Sequence, residues 1–158
     1  MAYNTIKVKK YSDNVEELIA AAAITPGMLV EVTSAGKVQA HSSAGQNALP
    51  KFALEDELQG KTINEDYSAN DPVQVWTPYR GDLVYAILAD GENASIGSEL
   101  ESNGDGTLRV HTADSAGAVE YPQSIVGIAR EAVDLSGSSG EESSGPLGYD
   151  KRILVEII

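Results

Sequence analysis

The sequence predicts a mainly β fold, either a small β-barrel or a β-sandwich of about eight to nine short strands with one short N-terminal helix. Short apolar/polar alternations are separated by Gly, Pro, Asn and Asp, which is the pattern of strands and turns. A chain of 158 residues that is 42% hydrophobic is long enough for one core. We therefore expect a basic arm at residues 1–12 and a single β-rich domain at residues 13–158.

Nine segments have strand character. In TIKVKK (5–10), Ile6 and Val8 point to one face and the lysines to the other. LVYAILA (83–89) is apolar on both faces, which is typical of a covered central strand. The other segments are MLVEVT (28–33), KVQAH (37–41), KFALED (51–56), VQVWT (73–77), TLRVHT (107–112), IVGIAREAV (125–133) and RILVEII (152–158).

The short helix is predicted in SDNVEELIAAAA (12–23). Ser12 or Asp13 supplies an N-cap, acids follow in the first turn, and Pro26-Gly27 ends the segment.

One hairpin pattern occurs twice. GMLVEVTSAGKVQAH (27–41) aligns with GSELESNGDGTLRVH (97–111) without a gap, at a spacing of 97 − 27 = 111 − 41 = 70 residues. Duplication and two hairpins with the same turn chemistry both explain the match. Both histidines, His41 and His111, fall at the end of the second hairpin strand.

Charge and cysteine content exclude several classes of protein. The formal charge of −13 argues against nucleic-acid binding. The arm alone carries Lys7, Lys9 and Lys10, so the remaining chain is −13 − 3 = −16, and the arm is either a solvated strand or a tether for an acidic partner. With no cysteine, disulfides and thiolate metal sites are absent, and no apolar run is long enough to span a bilayer.

No catalytic or cofactor motif is recognisable. Neither histidine lies in a nucleophile motif, so we expect both to be solvated ends of edge strands with no nucleophile beside them. The run from Glu101 to Gly106 begins like a calcium loop, but the twelfth position is Thr112, so we predict a hairpin turn. We expect no metal, no cofactor and no enzymatic activity.

Residues 134–150, DLSGSSGEESSGPLGYD, predict a mobile Gly/Ser-rich loop before the last strand. In that strand Ile153, Val155 and Ile157 face one way while Leu154 and Ile158 face the other, so we expect a neighbouring subunit to cover it.

The segments GMLVEVTSAGKV, FALEDELQGKTINEDYSANDPVQVW, RGDLVYAILADGE, IGSELESNGDGTL, VGIAREAVDLSG and RILVEII, in this order, are similar to the head decoration (capsid cement) proteins of tailed bacteriophages. The resemblance runs from about residue 24 to the C-terminus. It implies a small β-rich homotrimer that is made in the host cytoplasm, becomes part of the virion, and binds the major capsid protein on the outside of the expanded head without performing chemistry.

The residues expected to contact the capsid are Ile6, Lys7, Val8, Lys9, Lys10 and Tyr11, and those expected at the subunit interface are Arg80, Ile153, Val155 and Ile157. The alternative is an adhesion or carbohydrate-binding module that presents the Arg80-Gly81-Asp82 turn, with Trp76 and Tyr79 as sugar-stacking rings. We interpret the tripeptide instead as a turn leading into the apolar strand.

Overall fold

The structure is a computed structural model that describes residues 2–11, 13–113, 119, 121–137 and 151–158. Its mainly β character confirms the sequence prediction. Helical structure among these residues comprises one 3₁₀ turn at Glu57–Gln59 and the single 3₁₀ residue Lys151. The strands are β1 (Lys7–Lys9), β2 (Val15–Ile19), β3 (Val30–Val32), β4 (Val38–Ala40), β5 (Phe52–Ala53), β6 (Pro72–Trp76), β7 (Leu83–Ile87), β8 (Asn93–Ala94), β9 (Glu99–Ser102), β10 (Leu108–Val110), β11 (Ile125–Ala129), β12 (Val133–Asp134) and β13 (Arg152–Ile157).

The predicted N-terminal helix is wrong, because its residues form β2. This strand pairs along its whole length with β6, in antiparallel register from Val15↔Trp76 to Ile19↔Pro72. The expected helix cap is also used elsewhere, since the Asp13 carboxylate binds Lys7 and Lys10. A helix of this length is marginal without an apolar face to bury, whereas β2 gains a complete ladder of backbone hydrogen bonds.

The strands form four sheets in a sandwich-like arrangement, and within the described residues they do not close into a barrel. The largest sheet has the order β1-β7-β13-β11-β9-β10, and a second has the order β2-β6-β5. The hairpin β3-β4 and the pair β12-β8 complete the fold. None of the helical residues described belongs to a helix long and apolar enough to cross a membrane.

The repeated hairpins belong to a larger internal repeat. We call β2 to β6 the first unit and β7 to β13 the second unit. In the hairpins, Val30↔Ala40 corresponds to Leu100↔Val110. Three further antiparallel pairs correspond: Leu18↔Val73 matches Ala86↔Ile153, Ala53↔Val75 matches Ala129↔Val155, and Leu29↔Phe52 matches Glu99↔Ile128. The parallel bridge Ala20↔Val38 matches the parallel bridge Leu88↔Leu108.

Backbone hydrogen bonds outside the ladders follow the same correspondence. The bond from the Leu54 N–H to the Gln74 carbonyl (2.8 Å) matches the bond from Arg130 to Leu154 (2.8 Å). Further matched bonds are Ala21→Val38 with Ala89→Leu108, Gly27→Ala53 with Gly97→Ala129, and His41→Leu29 with His111→Glu99. Similar turn chemistry in the two hairpins would not explain why the pairing and hydrogen bonds of β2, β5 and β6 also have counterparts. The repeat is therefore a whole structural unit that occurs twice.

Each unit has its own hydrophobic core with equivalent positions. The smaller core consists of Ala20, Ile24, Val30, Val38, Ala53, Tyr67, Val73 and Val75. Their counterparts Leu88, Ala94, Leu100, Leu108, Ala129, Val133, Ile153 and Val155 lie in or against the larger core. The larger core also includes Leu29, Phe52 and Trp76 from the first unit. The two units are therefore packed against each other and are not merely joined along the chain.

The terminal strand β13 is covered by its own chain, not by a neighbouring subunit. It lies between β7 and β11 in the six-stranded sheet, and Ile153, Val155 and Ile157 are 0%, 0% and 2% exposed. The prediction that these three side chains form a subunit interface is therefore incorrect for the folded chain, because they are already in its core. Ile158, at 48% exposed, is the apolar residue of this end that faces solvent.

The prediction of a mobile loop at 134–150 is wrong for its first residues. Asp134 belongs to β12, and the Leu135 N–H donates to the Glu92 carbonyl at 2.7 Å. The remainder of that prediction, residues 138–150, lies outside the described residues.

Candidate functional site: the N-terminal arm and the Arg80 turn

The basic arm forms β1, the edge strand of the six-stranded sheet. β1 pairs with β7 in antiparallel fashion, with Lys7 opposite Val84 and Lys9 opposite Leu83. On the far side of β1, no other described strand pairs with it. The outward backbone groups of an edge strand are available to a further strand.

The arm is built into the domain and is not a loose tether. Ile6 is fully buried, which stabilises the fold by about 1.5–3 kcal/mol. Its N–H donates to Glu55 Oε2 at 3.2 Å and its carbonyl accepts from the Tyr85 N–H at 2.9 Å. Val8 is half-buried against the same core. Ile6 is thus unavailable to a partner, and the boundary predicted at residue 12 does not separate the arm from the core.

The arm's lysines are organised by one carboxylate. Asp13 accepts from Lys7 Nζ at 3.0 Å and also binds Lys10 Nζ. The hydrogen bond from Lys10, then that from Lys7, holds the pKa of Asp13 below its usual value. Lys7 is mostly covered, whereas Lys9 and Lys10 face solvent.

The Arg80-Gly81-Asp82 segment is a structural turn. The Asp82 N–H donates to the Tyr79 carbonyl at 3.0 Å, and Gly81 has a φ of +87°, as a type II turn requires at this position. The Asp82 side chain points inward: the residue is 2% exposed, and its two oxygens accept from the N–H groups of Tyr11 (2.6 Å) and Tyr79 (2.7 Å).

This geometry bears directly on the adhesion alternative. An adhesive tripeptide must present its aspartate to the partner, but the Asp82 carboxylate is occupied by two backbone N–H groups. Trp76 is fully buried and is therefore not a sugar-stacking ring. Of the residues proposed for that function, Tyr79, Arg80 and Gly81 remain accessible.

Asp82 joins the arm to the turn and creates an aromatic, cationic surface. The rings of Tyr11 and Tyr79 lie 5.2 Å apart, and the two residues are 81% and 58% exposed. Arg80 follows on the exposed turn. We call the exposed residues Lys9, Lys10, Tyr11, Tyr79 and Arg80 the arm surface. Exposed tyrosines beside arginine are typical of binding surfaces, because they bury large areas while keeping a polar group hydrated.

The two histidines occupy equivalent positions with different surroundings. His41 is 4% exposed, with Nδ1 2.7 Å from the Ser102 hydroxyl and Nε2 3.2 Å from the Asn47 carbonyl, which Nε2–H reaches as donor. The expectation of a solvated histidine with no nucleophile beside it is therefore wrong for His41. Ser102 is fully buried and also accepts from the Gly104 N–H, so no substrate reaches its hydroxyl.

A glutamate accompanies each histidine. Glu101 is 2% exposed and binds Arg109 (2.7 Å) and His111 (2.6 Å), whereas its counterpart Glu31 lies 3.8 Å from His41. Partial burial opposes ionisation of Glu31, but hydrogen bonds from Ser42 and Gln39 outweigh it and lower the pKa of Glu31. These pairs hold the hairpins together.

The candidate calcium loop is the β9–β10 turn, as the sequence predicts. Asp105 accepts from the Thr107 N–H at 3.0 Å and from the Asn103 amide at 3.2 Å, so its oxygens stabilise the turn. Throughout the part of the chain that the structure describes, no group of three or more His, Asp or Glu residues is placed to hold a metal ion.

Sequence reasoning identified the arm's residues but not their arrangement. Tyr11 and Arg80 were predicted for different surfaces, and the structure brings them together through Asp82. Glu55, which anchors the arm, carries no sequence signal that separates it from the other acids of an acidic chain, and Asp13, which organises the arm's lysines, was predicted only as a helix cap.

No protein-family model matches this chain, and no curated protein sequence matches it significantly.

Proposed function

We propose that this protein is a head decoration protein that binds the outer surface of a tailed phage's expanded capsid and stabilises the shell. Its partner is the major capsid protein, and the decoration unit is a homotrimer. It performs no chemistry and needs no cofactor, nucleic acid or membrane. The ordered sequence resemblance from about residue 24 to the C-terminus supports the family, and the arm surface supports the mode of binding.

The observation that carries the proposal is a fixed cationic edge on an acidic body. The arm contributes three lysines without an acid, against a charge of −16 in the remaining chain. Such an asymmetry orients the protein toward an acidic partner, because opposite potentials attract and the acidic body is repelled. The edge of β1 and the Tyr11–Tyr79 pair then provide hydrogen-bonding groups and contact area at the same place.

Anchoring also suits the role. A segment that is already ordered loses little conformational entropy when it binds, so its contacts contribute more of their energy to affinity. Ile6, Glu55 and Asp82 order the arm before any partner arrives. Because many copies bind one shell, the modest binding energies of the individual copies add up to a large stabilisation of the shell.

Two experiments test the function. The genomic one is simple: a major capsid gene beside this gene supports decoration. The biochemical one measures co-sedimentation of the purified protein with expanded, DNA-free heads and with unexpanded heads assembled from that capsid protein. Decoration predicts saturable binding to the expanded heads; absence of binding to both kinds of head contradicts it.

A further inference from the structure

The two units meet through non-equivalent faces. Residues 26–29 of the first unit, with Ala40, His41 and Gly45, form a ridge. This ridge packs on the turn at residues 102–106 of the second unit. The Leu29 N–H donates to the Gly106 carbonyl at 2.8 Å, and the Gly106 N–H donates to the His41 carbonyl at 3.2 Å.

The contact is close and specific. The Gly45 N–H donates to the Ser102 carbonyl at 2.9 Å. A Cβ at Gly106 would lie 3.0 Å from both Ala40 Cβ and Met28 Cγ, so only glycine fits between the ridge and the turn. The ridge is completed by the Pro26 carbonyl, which accepts from Arg152 Nη1 of the second unit at 2.7 Å.

Because each unit carries both elements, the chain has a second ridge and a second turn. The second ridge is residues 96–99 with Val110 and His111, and the second turn is residues 32–36. Among the described residues their contact is not formed: a Cβ added at Gly36, the counterpart of Gly106, would meet no described atom within 4 Å, and neither would one added at Gly97, the counterpart of Gly27. A two-fold axis between the units would make the contact of the first ridge with the second unit's turn and the contact of the second ridge with the first unit's turn equivalent, so both would form or neither would. Because one forms and the other does not, the units are related head-to-tail.

The second ridge and second turn expose the positions that the formed contact buries. Ile96 is 71% exposed, whereas its counterpart Pro26 is buried. Val32 is 46% exposed, whereas its counterpart Ser102 is fully buried. A large apolar side chain is thus exposed at the second ridge and another at the second turn. In the contact formed inside the chain, a turn covers the ridge, so the surface that would cover each open face is known.

We propose that these two open faces bind each other between copies of this chain, so that the second ridge of one copy packs on the second turn of the next and repeats the contact made inside each chain. A head-to-tail contact of this kind closes into a ring or continues as a filament, depending on the rotation between copies. The proposal rests on the internal repeat and is independent of shell binding.

The charges at the two faces are complementary. Leu29, which contacts Gly106 inside the chain, is replaced at the second ridge by the exposed Glu99. The residue after the second-turn glycine is Lys37. The repeated contact therefore places Glu99 of one copy beside Gly36 and Lys37 of the next, with opposite charges adjacent.

The first test is the mass of the protein in solution by sedimentation velocity over a range of concentrations. Wild type should exceed the 16.6 kDa of one chain. Val32→Asp and Ile96→Asp should each weaken association at least about tenfold, as loss of a central apolar contact does. Leu58→Asp is the matched control, because Leu58 is 77% exposed and lies on neither face; its mass should equal that of wild type.

The second test identifies which faces meet. The chain contains no cysteine, so a Gly36→Cys chain and a Val110→Cys chain can be mixed under mild oxidation. The proposal predicts a disulfide between the two variants and none within either variant alone. Should Gly36→Cys fold poorly, charge reversal replaces it: Lys37→Glu should weaken association, and Glu99→Lys added to the same chain should restore it.

Several results would overturn the proposal. The first is a monomeric wild type that gives no mixed disulfide. The second is a Gly36→Cys disulfide between identical chains that forms as readily as the mixed disulfide, because this would indicate two-fold association. The third is an unchanged mass for both Val32→Asp and Ile96→Asp. Unchanged mass combined with weaker binding to heads would assign the open faces to the capsid protein instead.

Discussion

Asp82 should contribute more to stability than any surface carboxylate of this chain. Its two oxygens accept from the N–H groups of Tyr11 and Tyr79 at 2.6 and 2.7 Å, and the residue is 2% exposed. A hydrogen bond to a charged group contributes about 1.5–3 kcal/mol, and a donor left unpaired by mutation costs additional free energy. Asp82→Ala should therefore lower the free energy of unfolding by about 3–5 kcal/mol. Asp82→Asn keeps one accepting oxygen and should cost about half as much.

The assay is urea unfolding followed by the fluorescence of Trp76, which is the single tryptophan and is fully buried. Asp66→Ala is the matched control, because Asp66 is exposed and its removal should change stability by less than about 0.5 kcal/mol. Hydrogen exchange should show loss of protection at the Tyr11 amide in Asp82→Ala. An Asp82→Ala protein within about 0.5 kcal/mol of wild type would refute the structural role of this aspartate.

Three further predictions concern the units and their contact. Arg152 donates to two buried carbonyls, those of Pro26 and Ile63, at 2.7 Å each, so Arg152→Met should cost about 3–5 kcal/mol in urea unfolding; a cost below about 1 kcal/mol would contradict its role in joining the units. Burial raises the pKa of Tyr67, so the folded state holds this proton more tightly, and stability should decline above pH about 10; the decline should be smaller in Tyr67→Phe, and an equal decline in both proteins would count against this. Glu101→Gln should lower the free energy of unfolding by about 2–4 kcal/mol, whereas Glu31→Gln at the equivalent, partly exposed position should lower it by less than about 1 kcal/mol. Equal losses would contradict the reasoning that burial makes the Glu101 ion pairs more important for stability than the Glu31 contact.

The strands were predictable because their signal is local. Alternation in TIKVKK and in the two hairpins reports directly which face is buried. The helix prediction failed in VEELI because cap and acid signals are also local, whereas the partner that makes this segment a strand, β6, lies more than fifty residues away. Pairing at such a distance leaves no mark in a single segment.

The extent of the repeat was hidden by loop lengths. The hairpins correspond at a spacing of 97 − 27 = 70 residues, but β6 and β13 correspond at 153 − 73 = 80 and β2 and β7 at 86 − 18 = 68. An ungapped comparison therefore finds only the hairpins. The same limit explains why β13 was expected to need a partner: its apolar faces are visible in the sequence, but the strands that cover them are not.

The arm's charge was readable from composition, whereas its anchoring was not. Three lysines in eleven residues mark a cationic end. The contacts of Ile6 with Glu55 and of Tyr11 with Asp82 span 49 and 71 residues. Because these contacts place the arm in the core, deleting residues 1–11 would destabilise the fold as well as remove the arm, and surface substitutions are the appropriate test of binding.

The most direct test of the account is quantitative binding of arm-surface variants to expanded heads. Lys9→Glu combined with Tyr11→Ala should reduce affinity at least about tenfold while leaving the urea midpoint near that of wild type. Lys61→Glu, which makes the same change in charge away from the arm, should bind like wild type. If the arm-surface variant binds as tightly as Lys61→Glu, the arm is not the site through which this protein holds the shell.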